Sequence, residues 1–147
     1  MNRTAVVVAV AFPLAAVDLA WTVFSPTPSW AYHTRSPGWL ALSIALVLAA
    51  FALARVPSDS VMLATGVMVG GVLGNTLAAV SNGLRVPNPI VASAGNAVIA
   101  FNPADVFTTA GTLALTAALS VVLVRHRHLV ATRADARATV ARLLGHR

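Results

Sequence analysis

Four long apolar segments dominate the pattern of hydrophobic and polar positions along this chain. They cover residues 5–24, 39–54, 61–80 and 104–124. A helix that spans a bilayer needs about 20 mostly apolar residues, because the hydrocarbon core is roughly 30 Å thick. The second segment is short, and the preceding loop can lend it one further turn. The pattern therefore predicts an all-α membrane protein with four transmembrane helices.

The first segment can also be compared with a cleaved signal peptide, because Arg3 precedes an apolar run. The run is long, it contains Asp18, and no small-x-small cleavage site precedes Ser25. These features favour a retained helix. We expect residues 1–124 to form the transmembrane domain.

The stretch between the third and fourth segments has a different pattern. Residues 90–94 and 97–101 are β-prone runs, and Gly95-Asn96 separates them. A Gly-Asn pair between two such runs is typical of a β-hairpin. We expect a small extracytoplasmic hairpin that lies at the membrane surface.

Composition supports a membrane protein and limits the chemistry. Hydrophobic residues make up 58% of the chain and charged residues 10%, against roughly 25% charged in an average soluble domain. All ten basic residues are Arg, all four acidic residues are Asp, and there is no Cys. Disulfides and thiolate metal sites are therefore excluded. His126, His128 and His146 lie in the C-terminal tail and His33 in an outer loop, so we expect no metal and no cofactor.

The arginines predict the orientation. With four spans, eight of them fall on one side and only Arg35 and Arg85 on the other. The positive-inside rule then places both termini of this multi-pass protein in the cytoplasm. The charge of +6 is an orientation signal rather than evidence for nucleic acid. The basic cytoplasmic tail, residues 125–147, is expected to touch anionic lipid, either as an interfacial helix or as a solvated segment.

Two of the four carboxylates lie in membrane segments, where ionisable groups are candidates for function. These are Asp18 in the first segment and Asp105 at the outer end of the fourth. Asp59 is expected to cap the third helix, and Asp135 to pair with tail arginines. Asp105 has two interpretations: it can cap the fourth helix together with Asn102, or it can serve acid–base chemistry at the membrane boundary.

The third segment ends in Gly70-Gly71-Val72-Leu73-Gly74-Asn75, and the fourth opens with Phe101-Asn102-Pro103-Ala104-Asp105. Small residues at one-turn spacing favour close helix packing, and Asn75 needs a polar partner. Together these stretches resemble signal peptidase II, the lipoprotein signal peptidase, a family of four-helix membrane aspartyl proteases. The resemblance implies that Asp105 is a catalytic Asp, that Asn75 and Asn102 support it, and that Asp18 is the structural Asp of the first helix.

The chain also departs from this family. The family's first catalytic Asp lies about a dozen residues after the Asn of the third span, where this chain has Pro87-Asn88-Pro89. No carboxylate occurs from Thr76 to Ala104, and Asn88 can occupy the missing position. An aspartyl protease needs two carboxylates that share a proton, and an amide cannot act as a base.

Three hypotheses follow. The first is a degenerate homologue that binds a membrane-embedded signal peptide, lipoprotein or envelope protein. The second is an active lipoprotein signal peptidase in which Asp18 or a partner chain supplies the second carboxylate. The third is a small transporter or channel component, although few polar residues lie within the predicted spans.

Overall fold

The structure is a computed structural model that describes residues 2–127, and it consists of four helices and two small sheets. The predicted tail after residue 127, including Asp135, lies outside the described residues. The helices agree with the predicted segments to within less than one helical turn. Their bounds are α1 Arg3–Phe24, α2 Pro37–Leu53, α3 Asp59–Ser81 and α4 Pro103–Arg125.

Three of the described helices, α1, α3 and α4, are long and apolar enough to cross a membrane. The remaining helix, α2, is apolar but has only 17 residues. At about 1.5 Å per residue it rises roughly 25 Å, which is less than the hydrocarbon thickness of about 30 Å. The structure thus supports three spans by length and composition, and the predicted fourth span stays a prediction.

Helix α3 lies at the centre and packs against each of the other three helices. Its glycines permit this close packing because they carry no side chain. A Cβ atom at Gly70 would meet the Ala11 carbonyl oxygen of α1, and a Cβ atom at Gly71 would meet Thr108 of α4. On the facing helix, a Cβ atom at Gly111 would meet the backbone of Met68. The close contact brings the end of α3 beside the beginning of α4.

The predicted hairpin is present. Strands β3 (Ile90–Ala94) and β4 (Ala97–Phe101) pair in antiparallel register, with Ile90 opposite Phe101. The turn uses Gly95 at a φ of +60°, a conformation that glycine adopts without steric cost.

A second antiparallel pair joins the two outer loops. Strand β1 (Tyr32–Thr34) follows a short 3₁₀ turn (Ser29–Ala31), and strand β2 (Arg85–Pro87) follows α3. Tyr32 lies opposite Pro87. This pairing brings the loop after α1 against the segment that precedes the hairpin.

The prediction that Asp59 caps the third helix is wrong. Ser58, not Asp59, is the N-cap of α3, and its Oγ accepts a hydrogen bond from the Val61 amide at 3.4 Å. Asp59 is instead the first helical residue and forms a salt bridge with Arg3 at 3.3 Å. The serine hydroxyl reaches the free amides directly, which leaves the neighbouring carboxylate to face outward.

Candidate functional site

Asp105 lies in the first turn of α4 and belongs to a capping box with Asn102. The Asn102 Oδ1 accepts a hydrogen bond from the Asp105 amide at 2.8 Å, and the Asp105 Oδ2 accepts one from the Asn102 amide at 3.3 Å. Pro103 occupies the first turn, where a missing N–H costs nothing. The helical start therefore holds the Asp105 carboxylate in a defined orientation.

Asn75, near the end of α3, binds Asp105 from the neighbouring helix. Its Nδ2 donates to Asp105 Oδ1 at 2.9 Å, and its Oδ1 accepts from Asn102 Nδ2 at 2.9 Å. Asn75 is buried. Asp105 and Asn102 are therefore the polar partners that a buried asparagine needs in an apolar helix.

Asn88 lies on the other side of Asn102. The fully buried Asn88 accepts a hydrogen bond on Oδ1 from Asn102 Nδ2 at 3.1 Å, and its own Nδ2 lies 2.9 Å from Nδ1 of His33. The Asn88 amide donates to the Ala31 carbonyl at 3.1 Å, which ties it to the segment before β1. A hydrogen-bonded row of side chains therefore runs through His33, Asn88, Asn102, Asn75 and Asp105.

Asp18, on α1, binds the first turn of α4. It is fully buried, and its Oδ1 accepts a hydrogen bond from the Ala104 amide at 2.8 Å. A carboxylate is favourable here because the amides in the first turn of a helix lack internal partners and carry partial positive charge. Oδ2 faces Gly74 and makes no hydrogen bond with any of the residues that the structure describes. Asp18 thus positions α4, and within residues 2–127 no hydrogen bond joins it to Asp105.

The chemistry of this arrangement is that of one carboxylate among amides. Each Asp105 oxygen accepts one hydrogen bond from an uncharged donor. The side chains nearest to it in the row, Asn75 and Asn102, carry no titratable proton. Such a site can hold a ligand through hydrogen bonds and one negative charge, but it lacks the second carboxylate of an aspartyl dyad.

Asp105 lies between two cavities. The first, of about 270 Å³, opens between α2, α3 and α4. The second, of about 520 Å³, is a largely apolar groove between β4 and α4. Besides Asp105, the first cavity is lined by Arg35, Trp39, Leu42, Ser43, Leu46, Val72, Asn75 and Thr108. Besides Asp105, the second is lined by Ile99, Ala100, Phe101, Val106, Thr109, Ala110 and Leu113.

The sequence pattern predicts Asp105, Asn75, Asn102 and Asn88 as candidate site residues but does not include His33 or Arg35. It places His33 in an outer loop, and it gives Arg35 a role only in orientation. Both reach the site through the β1–β2 pairing, which joins segments more than 50 residues apart. Three-residue strands give almost no periodic signal, so no local pattern marks that pairing. Among residues 2–127, no group of three His, Cys, Asp or Glu side chains is placed to hold a metal ion.

The chain matches no protein-family model and no curated protein. Among solved structures it is similar to a bacterial membrane enzyme determined by the in meso method at 2.3 Å resolution. The TM-score is 0.62 at 18% sequence identity, and the match covers 77% of this chain and 86% of that chain. At this identity the likeness concerns the fold. This chain has the fold of a bacterial membrane enzyme.

Proposed function

We propose that this protein is a signal-peptidase-II-like component of the bacterial cytoplasmic membrane that binds a membrane-embedded peptide without cleaving it. The ligand is a lipoprotein signal peptide or a transmembrane segment of another envelope protein. The similarity in fold to a bacterial membrane enzyme and the motifs around Asn75 and Asp105 support this proposal.

One observation carries the proposal. Counted from Asn75, Asn88 falls where the resemblance calls for the family's other catalytic Asp, and this amide is buried and bonded on both sides. Its side-chain amide is hydrogen-bonded to Asn102, so the polar groups of the row have partners without a second carboxylate. General acid–base hydrolysis by an aspartyl dyad needs one carboxylate to activate water and a second to protonate the carbonyl oxygen. Asp105 alone performs one of these tasks at most.

The groove beside Asp105 supports peptide binding. It is bounded by β4 on one side and α4 on the other, and its lining is apolar except for Asp105 and Thr109. Ile99 and Leu113 line the groove, and both are more than half exposed. An apolar segment laid in this groove would cover them, while its backbone amides meet the Asp105 carboxylate.

The test uses the full-length protein in lipid nanodiscs and a lipidated prolipoprotein peptide that carries a photo-reactive group in its apolar segment. We expect cross-linking to the wild-type protein and no signal-peptide fragment. Asp105→Asn and Ile99→Glu should each reduce cross-linking. Efficient cleavage by the wild-type protein, lost in Asp105→Asn, would overturn the proposal.

Asn88→Asp is the sharper variant, because it introduces a carboxylate into the row of side chains that ends at Asp105. The new side chain keeps an acceptor for Asn102 Nδ2, and its second oxygen faces His33, whose Nδ1 can carry a proton. We expect cleavage to rise from undetectable to measurable, and Asn88→Asp combined with Asp105→Asn to abolish it. The matched control is Asn96→Asp, which adds the same charge on the exposed hairpin turn.

A second candidate function is an active peptidase that pairs Asp105 with Asp18. The observation in its favour is that Asp18 is fully buried near the site and that its Oδ2 has no hydrogen-bond partner. This hypothesis requires cleavage by the wild-type protein and equal loss in Asp18→Asn and Asp105→Asn. The same assay therefore separates the two functions.

A further inference from the structure

The cavity between α2, α3 and α4 carries opposite charges on its walls. The Arg35 guanidinium and the Asp105 carboxylate both line it. They do not neutralise each other, because the single salt bridge found within residues 2–127 joins Arg3 and Asp59. The cavity therefore presents a separated positive and negative group.

Arg35 is held in place without a charged partner. Its guanidinium lies over the Trp39 ring, 4.9 Å from the ring centre, and its amide donates to the Leu84 carbonyl at 2.7 Å. Its Nε is buried and makes no hydrogen bond in the described part of the chain. A positioned guanidinium with free donors is suited to a phosphate group.

Asp105 retains acceptor capacity toward the cavity. A carboxylate has about four lone-pair sites, and the hydrogen bonds from Asn75 and from the Asn102 amide use two of them. The remaining sites are suited to an ammonium group, which brings three donors and the opposite charge.

The rest of the lining combines the polar residues Ser43, Asn75 and Thr108 with an apolar wall. Leu42, Leu46 and Val72 line the cavity, and Leu42 is 69% exposed. Leu42 and Leu46 lie on α2, which is apolar except for Ser43, so this side of the cavity is suited to acyl chains. A cavity of about 270 Å³ is somewhat below the range of roughly 300–1,000 Å³ for drug-sized ligands, which suits a small headgroup with its chains outside.

From these observations we propose that the cavity binds the headgroup of a zwitterionic phospholipid with a primary amine, a phosphoethanolamine lipid. Arg35 binds the phosphate, Asp105 binds the ammonium, and the acyl chains leave along Leu42 and Leu46. The inference rests on the proposed function only in treating Asp105 as a ligand-binding carboxylate rather than as half of a dyad.

The test is a lipid titration of the full-length protein in detergent, followed by native mass spectrometry. The probes are phosphatidylethanolamine, phosphatidylcholine and phosphatidylglycerol with identical acyl chains. We expect the ethanolamine lipid to bind about tenfold more tightly than either other lipid, because choline has no N–H donor and glycerol has no positive charge. Equal affinity for the three headgroups overturns the proposal.

The variants address the two charges separately. Arg35→Gln should weaken phosphatidylethanolamine binding about tenfold. Its matched control is Arg85→Gln, because Arg85 lies over an aromatic ring in the same way, 4.8 Å from the centre of Tyr32, but does not line the cavity. Asp105→Asn should remove the preference for the ethanolamine lipid over the glycerol lipid. Equal phosphatidylethanolamine affinity in Arg35→Gln and Arg85→Gln overturns the proposal without any reference to Asp105.

Soluble glycerophosphoethanolamine distinguishes a lipid from a water-soluble zwitterion. We expect it to compete with phosphatidylethanolamine only at far higher concentration, because it lacks the acyl chains. Competition at the lipid's own concentration overturns the assignment to a lipid. If the protein cross-links the peptide but binds the three headgroups equally, only this inference is overturned. If it prefers phosphatidylethanolamine but does not cross-link the peptide, only the proposed function is overturned.

Discussion

Asn102 connects the two sides of the site through a single side chain. Its Oδ1 caps α4, and its Nδ2 lies within hydrogen-bond distance of Asn75 Oδ1, Asn88 Oδ1 and the Pro87 carbonyl. With two protons for three acceptors, this amide group is fully used, and Asn102 is completely buried. Its removal would leave several buried acceptors without a donor.

We therefore predict that Asn102→Ala lowers the free energy of unfolding by about 2–4 kcal/mol, from the lost cap and the unsatisfied acceptors. The change in the free energy of unfolding can be measured by denaturant unfolding in detergent, monitored by tryptophan fluorescence. Asn2→Ala is the matched control: Asn2 caps α1, and its side chain accepts from the Thr4 amide at 3.0 Å at an exposed position. A loss in Asn102→Ala no larger than in Asn2→Ala would contradict the role assigned to the network.

Under the proposed function, residue 88 is the position at which an amide or a carboxylate would decide between binding and hydrolysis. Asn and Asp have nearly the same shape, so the row of hydrogen bonds accommodates either. Only the carboxylate can take up and release a proton near neutral pH. The Asn88→Asp variant therefore tests function with little change in packing.

At the scale of elements, the contact between α3 and α4 fixes the site geometry. Gly71 faces the Thr108 amide and the Ala104 carbonyl so closely that a Cβ atom could not be added without moving one helix. Asn75 lies one turn further along α3 and binds Asp105, the residue after Ala104. The close approach at Gly71 therefore sets the distance across which Asn75 binds.

We predict that Gly71→Ala costs about 1–3 kcal/mol of stability through overpacking and also weakens ligand binding, because it separates Asn75 from Asp105. Gly38→Ala is the matched control, since a Cβ atom there would meet only Ser36 Oγ at 3.8 Å. Denaturant unfolding measures the loss of stability, and cross-linking to the lipidated peptide measures the loss of binding. Equal behaviour of the two variants would show that the helix contact does not control the site.

The elements differ in how far local sequence predicts them. The four helices follow from long apolar runs, and the hairpin of β3 and β4 follows from two β-prone runs around Gly95-Asn96. Strands β1 and β2 are too short to show a period, and β1 lies in a loop rich in Pro and aromatic residues. Their pairing depends on segments more than 50 residues apart being brought together, and no local pattern predicts it.

At the scale of the whole molecule, the position of α2 decides the topology. If α2 crosses the membrane, the loop before α3 lies on the side opposite to the loop after α1. If it does not cross, that loop lies on the same side as the loop after α1. The distribution of arginines favours the first arrangement, with both termini in the cytoplasm.

Because the chain has no Cys, single-cysteine variants can show on which side of the membrane each loop lies. Ser29, Ser60 and Ser93 are exposed and lie respectively after α1, at the start of α3 and in β3. We predict that a membrane-impermeant maleimide added to intact spheroplasts labels Ser29→Cys and Ser93→Cys, and that it labels Ser60→Cys only after permeabilisation. Labelling of Ser60→Cys in intact cells would show that α2 does not cross.

The sequence by itself determined the helices, the hairpin and the membrane class, because apolar length and turn residues act locally and the bilayer imposes a fixed thickness. It also identified Asp105, Asn75, Asn102, Asn88 and Asp18, since polar groups in apolar segments stand out from their surroundings. Only the tertiary structure decided how these residues are used. Hydrogen bonds between distant segments direct Asp18 to the α4 backbone, join Asn88 to His33, and bring Arg35 into the same cavity as Asp105. No local pattern encodes such partners, because they depend on which surfaces meet when the helices pack.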